Sequence, residues 1–501
     1  MKTFYVTTPI YYPNDIPHIG HAYTTVLADV LARWHRLNGY SVFFLTGTDE
    51  HGLKLQRSAE KAGKTPKEFV DGMVPIFKKY WSLLGIGYDR FIRTTDPDHE
   101  ELVRKVFDKL YEKGYVYKGK YSGWYCVSCE KFYSEGEYVE KNGEKLCPIH
   151  GKPLEWVEEE TYFLKLSSMQ DEVLRIIEEG DIITPESYAR EVAGRLRKEG
   201  LKDLSIARPK HRVYWGIELP FDKDFVAYVW IDALLNYLTG IGYLRDSDFF
   251  EKYWPSAHHI IGKDILWFHS AIWFSVLRML GLSPPKKLVV HAYIVNRGMK
   301  MGKSTGNVVL IDDLLERYGS SDAIRYLLMR LLNLEKDVEF DQNLLDNIYN
   351  GELADTYGNL VRRAGVLSIK KLNGVVNKAE IDGDLEKFST RVIDQTPALV
   401  SELKIAESLN LVFDLLREAN AYMNRTHPWD SPDPREALYN TLEAIRIAVN
   451  LLYPVMPDTS EQVSKAFGFQ IIPVQQLAYG QTKRFHVTDA PILFKKVGKG
   501  E

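Results

Sequence analysis

Residues 4–48 read FYVTTPIYYPNDIPHIGHAYTTVLADVLARWHRLNGYSVFFLTGT, and the change of pattern within them decides the fold. FYVTTPI is a β-rich run. After a proline-rich turn, Val26, Leu27, Val30, Leu31, Trp34 and Leu37 recur at helical spacing until Asn38 and Gly39 supply a stop, and SVFFLTGT is again a strand. A strand, a crossover helix and a second strand of this length suit a parallel sheet with helices on its faces. Such sheets bind ligands beyond the carboxyl ends of their strands, where Tyr12 and Asp49 fall.

Further along, FVAYVWIDALLNYL and HHIIGKDILWFHSAIWFSVL each suggest a strand leading into a helix, and amphipathic helices dominate 344–466. Between these, about 115–215 breaks the alternation with an aromatic, cysteine-bearing stretch that reads as an insertion. There is no internal repeat. The 501 residues suffice for about three domains at roughly 150 residues each. A composition of 45% hydrophobic and 26% charged residues excludes a disordered or fibrous chain. No apolar run of about 18 residues and no signal peptide is found, so a cytoplasmic protein with no membrane partner is expected. The net charge of -4 argues against indiscriminate nucleic-acid binding but leaves room for basic patches at 190–202 and 208–212.

Four constellations can carry chemistry. PHIGH places His18 and His21 on one side of the first turn of a helix, where free N–H groups and the dipole favour phosphate and Gly20 allows close approach. Capping or solvated histidines would look the same. Cys126-x2-Cys129, then 17 residues, then Cys147-x2-His150 offers two tight-turn pairs of soft ligands, the requirement of a closed tetrahedral Zn2+ site. All three cysteines of the chain lie there, and four protein ligands leave no open position, so the site reads as structural, with one zinc per chain. A third set, Ile10, Tyr12, Asp49, Trp230, Tyr237 and His269, joins one acid able to hold an α-ammonium to an apolar wall, although ordinary core aromatics have the same appearance. The fourth is RGMKMGKSTGN at 297–307. Only three residues separate Gly298 from Gly302-Lys303-Ser304, one fewer than a P-loop needs, so Lys300 and Lys303 suit a mobile flap that brings cations to a polyphosphate by another geometry.

PHIGH and KMGKS together resemble the HIGH and KMSKS signatures of class I aminoacyl-tRNA synthetases. FLTGTDEHG, YVWIDALLNY, IIGKDILWFH and GNLVRRA resemble segments of the methionyl-tRNA synthetase family, spread over most of the chain. The resemblance implies an α/β fold: a Rossmann-type parallel sheet split by a zinc-knuckle insertion and followed by an α-helical bundle. Its divisions would be 1–115 and 216–285 for the two catalytic halves, 116–215 for the insertion, 286–345 for a stem-contact fold carrying the lysine loop, and 346–501 for an anticodon-binding domain with its tail.

Roles are implied residue by residue. His18, Gly20 and His21 would hold the ATP phosphates, Gly262 and Asp264 the adenosine, and Lys300 and Lys303 would act in catalysis, Lys303 on the departing pyrophosphate. Asp49 would bind the methionine ammonium, with Ile10, Tyr12, Trp230, Ala233, Tyr237, Ile265 and His269 lining the side-chain pocket. Asn359, Arg363 and Trp429 would read a CAU anticodon. The implied substrates are L-methionine, ATP with Mg2+, and tRNA(Met) including the initiator tRNA. Gly302 stands where the family usually has Ser. The chain closes on APILFKKVGKGE without a further tRNA-binding domain, so a monomer is expected, served if at all by a separate tRNA-binding chain. Two alternatives are a class I synthetase for another amino acid, of which those for isoleucine, valine and leucine carry a much larger insertion and one for cysteine would place zinc at the substrate, and a non-catalytic RNA-binding paralogue, which would not need both histidines, Asp49 and Lys303.

Overall fold

The computed structural model describes residues 2–133, 135–141, 143–301 and 306–498. Its centre is a six-stranded parallel sheet in the order Arg90–Arg93, Ser41–Thr48, Thr3–Thr7, Ala257–Gly262, Lys287–His291, Ile183–Thr184. Thr3–Thr7 lies in the middle, with Tyr5 opposite Phe43 on one side and Ala257 on the other. Covered on both faces, as parallel sheets are, these strands are buried along nearly all of their length. Helix Ile19–Leu37 crosses between the first two strands and stops at Asn38, whose amide Nδ2–H donates to Trp34 O (2.8 Å), followed by Gly39 at φ 80°.

FVAYVWIDALLNYL is, as expected, a strand leading into a helix. Phe225–Ala227 does not enter the main sheet but pairs antiparallel with Ala207–Pro209, and helix Val229–Leu234 follows at once. A run of this length is compatible with either partner, and periodicity carries no information on which it takes. The insertion is built on a long antiparallel ribbon, Val116–Cys126 against Glu155–Leu164. Within the same stretch Ile183–Thr184 returns to the parallel sheet and pairs with Leu288 and Val289 at its edge.

Beyond the sheet, Ile294–Asn296, Met299–Lys300 and Val338–Glu339 form a small sheet at the base of the lysine loop. Asn296 and Asn307 close that base by exchanging amide-to-carbonyl hydrogen bonds of 2.8 and 2.9 Å. Helices from Gln342 onward make the last layer, interrupted by a π-helical stretch, Tyr349–Gly358, that immediately precedes Asn359–Leu372. The chain then folds back: Arg484–His486 pairs with Val375–Asn377, and Phe494 meets the rings of Tyr349 and Tyr357. Among the described residues no helix is long and apolar enough to cross a membrane.

One buried ion pair joins the helical layer to the first crossover helix of the parallel sheet. Asp29, two turns into the first helix from Gly20, lies 2.7 Å from Arg325, and both side chains are fully buried. Arg325 also donates to the carbonyls of Val455 (2.8 Å), Pro454 (2.9 Å) and Leu84 (3.2 Å), so each guanidinium nitrogen has an acceptor. Burial alone would raise the Asp29 carboxyl, but Arg325 and Arg33 outweigh it and hold it below its ordinary value. Removing one partner leaves the other charge buried alone. Arg325→Ala is therefore expected to cost about 3–5 kcal/mol in chemical denaturation, far more than an exposed pair such as Arg190–Glu186; a loss below about 1 kcal/mol would contradict this account.

Candidate active site

The start of the first helix is capped by its own two histidines. His18 is the N-cap, in extended conformation; its Nδ1 accepts from the N–H of Gly20 (3.0 Å), while Nδ1 of His21 accepts from the N–H of His18 (3.1 Å). An imidazole nitrogen that accepts from a backbone N–H carries no proton, so in each neutral ring the proton sits on Nε2. Burial, and then Lys300, lowers His18 to about 4; burial, and then His18 itself, holds His21 well below its ordinary value. The site therefore presents two N–H donors rather than two cations. The reason for Gly20 is also visible: a Cβ there would lie 2.8 Å from Cε1 of His18, so the folded-back ring tolerates only glycine.

Asp49 follows the last residue of Ser41–Thr48 and is 4% exposed. Its Oδ1 is buried without a hydrogen-bond partner among the described residues. Burial, followed by Asp232, Glu130 and Glu50, raises its carboxyl well above the ordinary range. Such a group is stabilised by a cation brought to it. Nearby, Lys54 sets its ammonium 4.4 Å above the ring of Tyr12. Ile10, Tyr12, Trp230 and Ile265 are half-buried around the core cluster that contains Tyr237, and Ala233 is buried. Trp230 stacks on Phe268 with ring centroids 3.9 Å apart.

Tyr237 and His269 form a directed pair. Nδ1–H of His269 donates to Ile265 O (3.0 Å), which leaves Nε2 to accept the Tyr237 hydroxyl proton at 2.7 Å. Burial lowers His269 to about 4, so the ring is neutral and the direction is set. The hydroxyl oxygen of Tyr237 keeps lone pairs but has no proton left to offer. His269 lies in a π-helical turn, Phe268–Ile272, which has one more residue than an α-turn and re-aims the side chain.

Gly262 ends the strand Ala257–Gly262; a Cβ on it would come 3.0 Å from Oδ1 of Asp264 and 3.4 Å from the ring of Tyr293. Asp264 is ion-paired with Lys300, whose ammonium also lies 4.8 Å from the Tyr293 ring centroid. Lys303 and Gly302 lie outside the described residues.

The ligand atoms of Cys126, Cys129, Cys147 and His150 all lie within 4.8 Å of one another, with Cys129 Sγ 3.3 Å from Cys147 Sγ and 3.1 Å from Nδ1 of His150. Three sulfurs and an imidazole converging at this spacing fit one tetrahedral zinc ion. The knuckle touches the apolar pocket through two links. Trp230 Nε1–H donates to the carbonyl of Cys129 (3.3 Å), and Glu130, at φ 50°, accepts the N–H of Lys54 (2.8 Å) at the start of helix Leu53–Lys61, whose own N-cap, Gly52, has no side chain to do so. A Cβ at Gly52 would lie 2.4 Å from Oε1 of Glu130.

Far from these groups, Arg363 in helix Asn359–Leu372 donates to Oδ1 of Asn424 (2.9 Å) and sets its guanidinium 5.3 Å from the ring centroid of the half-buried Trp429. Asn359 is exposed in the first turn of the same helix. Sequence reasoning did not single out Glu130, Tyr293, His51, His99 or Asp232. A carboxylate directly after a metal-ligand turn was the one available signal for Glu130; for the others, the partners are set by packing alone.

A family model described as tRNA synthetases class I (M) matches residues 4–365. A methionine–tRNA ligase of Caldanaerobacter subterraneus subsp. tengcongensis is 44% identical over 99% of this chain and 79% of its own length, and one of Thermotoga maritima is 41% identical over 94% and 76%. A crystal structure of Mycobacterium tuberculosis methionyl-tRNA synthetase bound by methionyl-adenylate superimposes with a TM-score of 0.92 at 35% identity, covering 99% of this chain and all of that one. On sequence and on structure alike, the chain belongs to the class I tRNA synthetases of the methionine family.

Proposed function

We propose that the chain is a methionine–tRNA ligase: it condenses L-methionine with ATP to methionyl-adenylate and pyrophosphate, then transfers the methionyl group to the 3′-terminal adenosine of tRNA(Met), elongator and initiator alike. The observation that carries this reading is the unpartnered, buried oxygen of Asp49 beside an apolar pocket, within one site that also holds the histidine-capped helix start. It is supported by the relatives' names and by the adenylate bound in the Mycobacterium tuberculosis protein.

In this reading the methionine ammonium is held by Asp49, and Ile10, Tyr12, Trp230, Ala233, Tyr237, Ile265 and His269 enclose the side chain. With its proton committed to His269, the Tyr237 hydroxyl cannot donate to the thioether and serves as wall. ATP enters as its Mg2+ complex, its phosphates at the Nε2–H groups of His18 and His21 and the backbone of Gly20, its adenosine at Gly262 and Asp264. A methionine carboxylate oxygen attacks the α-phosphorus in line, and the bond to the bridging oxygen breaks, releasing pyrophosphate. Lys300 and Lys303 would balance the charge that builds on the leaving group; Lys300 is held on Asp264 in the structure and would have to move off it. A ribose hydroxyl of the tRNA then attacks the acyl carbon, and AMP leaves. The carboxylate is already a nucleophile, so the enzyme's contribution is placement and charge stabilisation. Zinc at Cys126, Cys129, Cys147 and His150 is structural, and no step passes through it. Arg363, Trp429 and Asn359 would read the anticodon, one base stacking on the indole.

Amino-acid-dependent exchange of pyrophosphate into ATP tests the assignment. Methionine should support it, and leucine, isoleucine and cysteine should not; homocysteine, one methyl group smaller, should be the hardest competitor to exclude, since such a difference in an apolar pocket is worth only about 1–3 kcal/mol. Comparable exchange with leucine would overturn the assignment. Cys147→Ala should lose the single zinc by elemental analysis and, because Cys129 O and Glu130 hold Trp230 and Lys54, should raise the KM for methionine more than that for ATP; full metal content would refute the ligand set. Trp429→Ala should lower aminoacylation roughly ten- to hundredfold, the worth of one stacked base, while exchange without tRNA stays near normal. Equal losses in both assays would assign Trp429 to the fold instead.

A further inference from the structure

Four carboxylates are buried around the carboxyl end of Ser41–Thr48: Asp49, Glu50, Glu130 and Asp232, each 4% exposed or less. Three of them are occupied. Glu50 receives Nε and Nη2 of Arg93 (2.7 and 2.8 Å) and the hydroxyls of Thr48 and Thr95 (both 2.6 Å). Glu130 receives the N–H of Lys54. Asp232 is gripped from both sides: Nδ1–H of His51 donates to Oδ2 at 2.7 Å and Nε2–H of His99 to Oδ1 at 2.8 Å, with all three side chains nearly or fully buried. Among these four, only Asp49 keeps a buried oxygen without a partner.

We propose that the His51–Asp232–His99 clamp is the positioning device of the amino-acid site, holding the segment that carries Asp49 in register with the helix that carries Trp230 and Ala233. The placement of the three residues is the argument. His51 is two residues beyond Asp49 on the same loop. Asp232 lies in Val229–Leu234, between Trp230 and Ala233. His99 lies in Pro97–Glu112 and is itself fixed through Nδ1 to the Thr239 hydroxyl at 2.8 Å. Both walls of the pocket thus converge on one carboxylate. With both oxygens of Asp232 committed to imidazoles, that acid does not compete for the substrate ammonium, and Asp49 alone faces it. Asp232, His51 and His99 touch no substrate; they act through Asp49 and Trp230.

This inference rests on the reading of Asp49 as the ammonium site, and the experiment keeps the two apart. Methionine and ATP dissociation constants are measured by calorimetry, with melting temperatures, for Asp49→Asn, Asp232→Asn, His51→Leu and His51→Asn. Asparagine at 232 turns an N–H toward an imidazole N–H, and leucine at 51 removes a donor; each should weaken methionine binding about tenfold or more, with ATP binding within about twofold of the parent. His51→Asn places an amide N–H near the position of Nδ1 and should recover most of the loss. If Asp232→Asn and His51→Leu bind methionine like the parent while Asp49→Asn does not, the clamp is refuted and the ammonium site stands. If they weaken methionine and ATP equally with a lower melting temperature, the trio merely supports the fold, and the proposal falls. Undiminished methionine binding by Asp49→Asn would remove the reading on which the inference rests.

Discussion

The carboxylate of Asp49 is buried at the end of a central strand with one oxygen unpaired, and much of the surrounding structure serves to keep it so. An acid in that position is held far from water and beside other acids, and is raised well above its ordinary range. It is costly unpaired, and the ammonium that the proposed function brings to it would offset that cost. The neighbouring acids cannot take its place, because each is already occupied by arginine, histidine or backbone donors. Selectivity for one buried oxygen among several is thereby achieved by occupying the rest.

The histidine-capped helix start, the proposed phosphate site, follows a different logic. The helix start supplies N–H groups from the backbone and from two imidazoles that burial keeps neutral and whose tautomer is set by their own capping hydrogen bonds. Neutral donors of fixed direction need no reorganisation when phosphate charge shifts toward a leaving group. Positive charge comes from a separate segment, closed at its base by the Asn296–Asn307 amide pair, whose Lys300 is held on Asp264. The N–H donors and the Lys300 cation are thus kept on different pieces of chain.

Three buried polar links hold these pieces together across long sequence distances. Asp29 and Arg325 tie the histidine-capped helix to the helical layer. Cys129 and Glu130 tie the metal knuckle to Trp230 and Lys54. Asp232 ties the second strand to the pocket helix. Each brings a charge or dipole out of water and is tolerated only because its partners are complete, so each specifies one arrangement more sharply than apolar packing of the same area would.

The sequence by itself determined whatever depends on neighbours a few residues apart. The strand–helix–strand opening, the stop at Asn38 and Gly39, the histidine pair of PHIGH and the Cys-x2-Cys with Cys-x2-His spacing are consequences of local chain geometry. The acid-and-aromatic set and the lysine pair were also residue patterns, and family segments then suggested Ala233, Gly262, Asp264, Ile265, Asn359, Arg363 and Trp429, of which the structure puts Asn359 and Arg363 on one helix and Trp429 outside it. Tertiary structure alone decided that Phe225–Ala227 pairs with Ala207–Pro209 and not with the main sheet, that Ile183–Thr184 becomes its edge, that His269 sits in a π-turn, and that His51 and His99 close on Asp232 from 181 and 133 residues away. An apolar run does not state which strand it will pair with, and a buried acid does not state which donor will reach it. Both are settled only when packing removes water and every remaining polar group must find a partner.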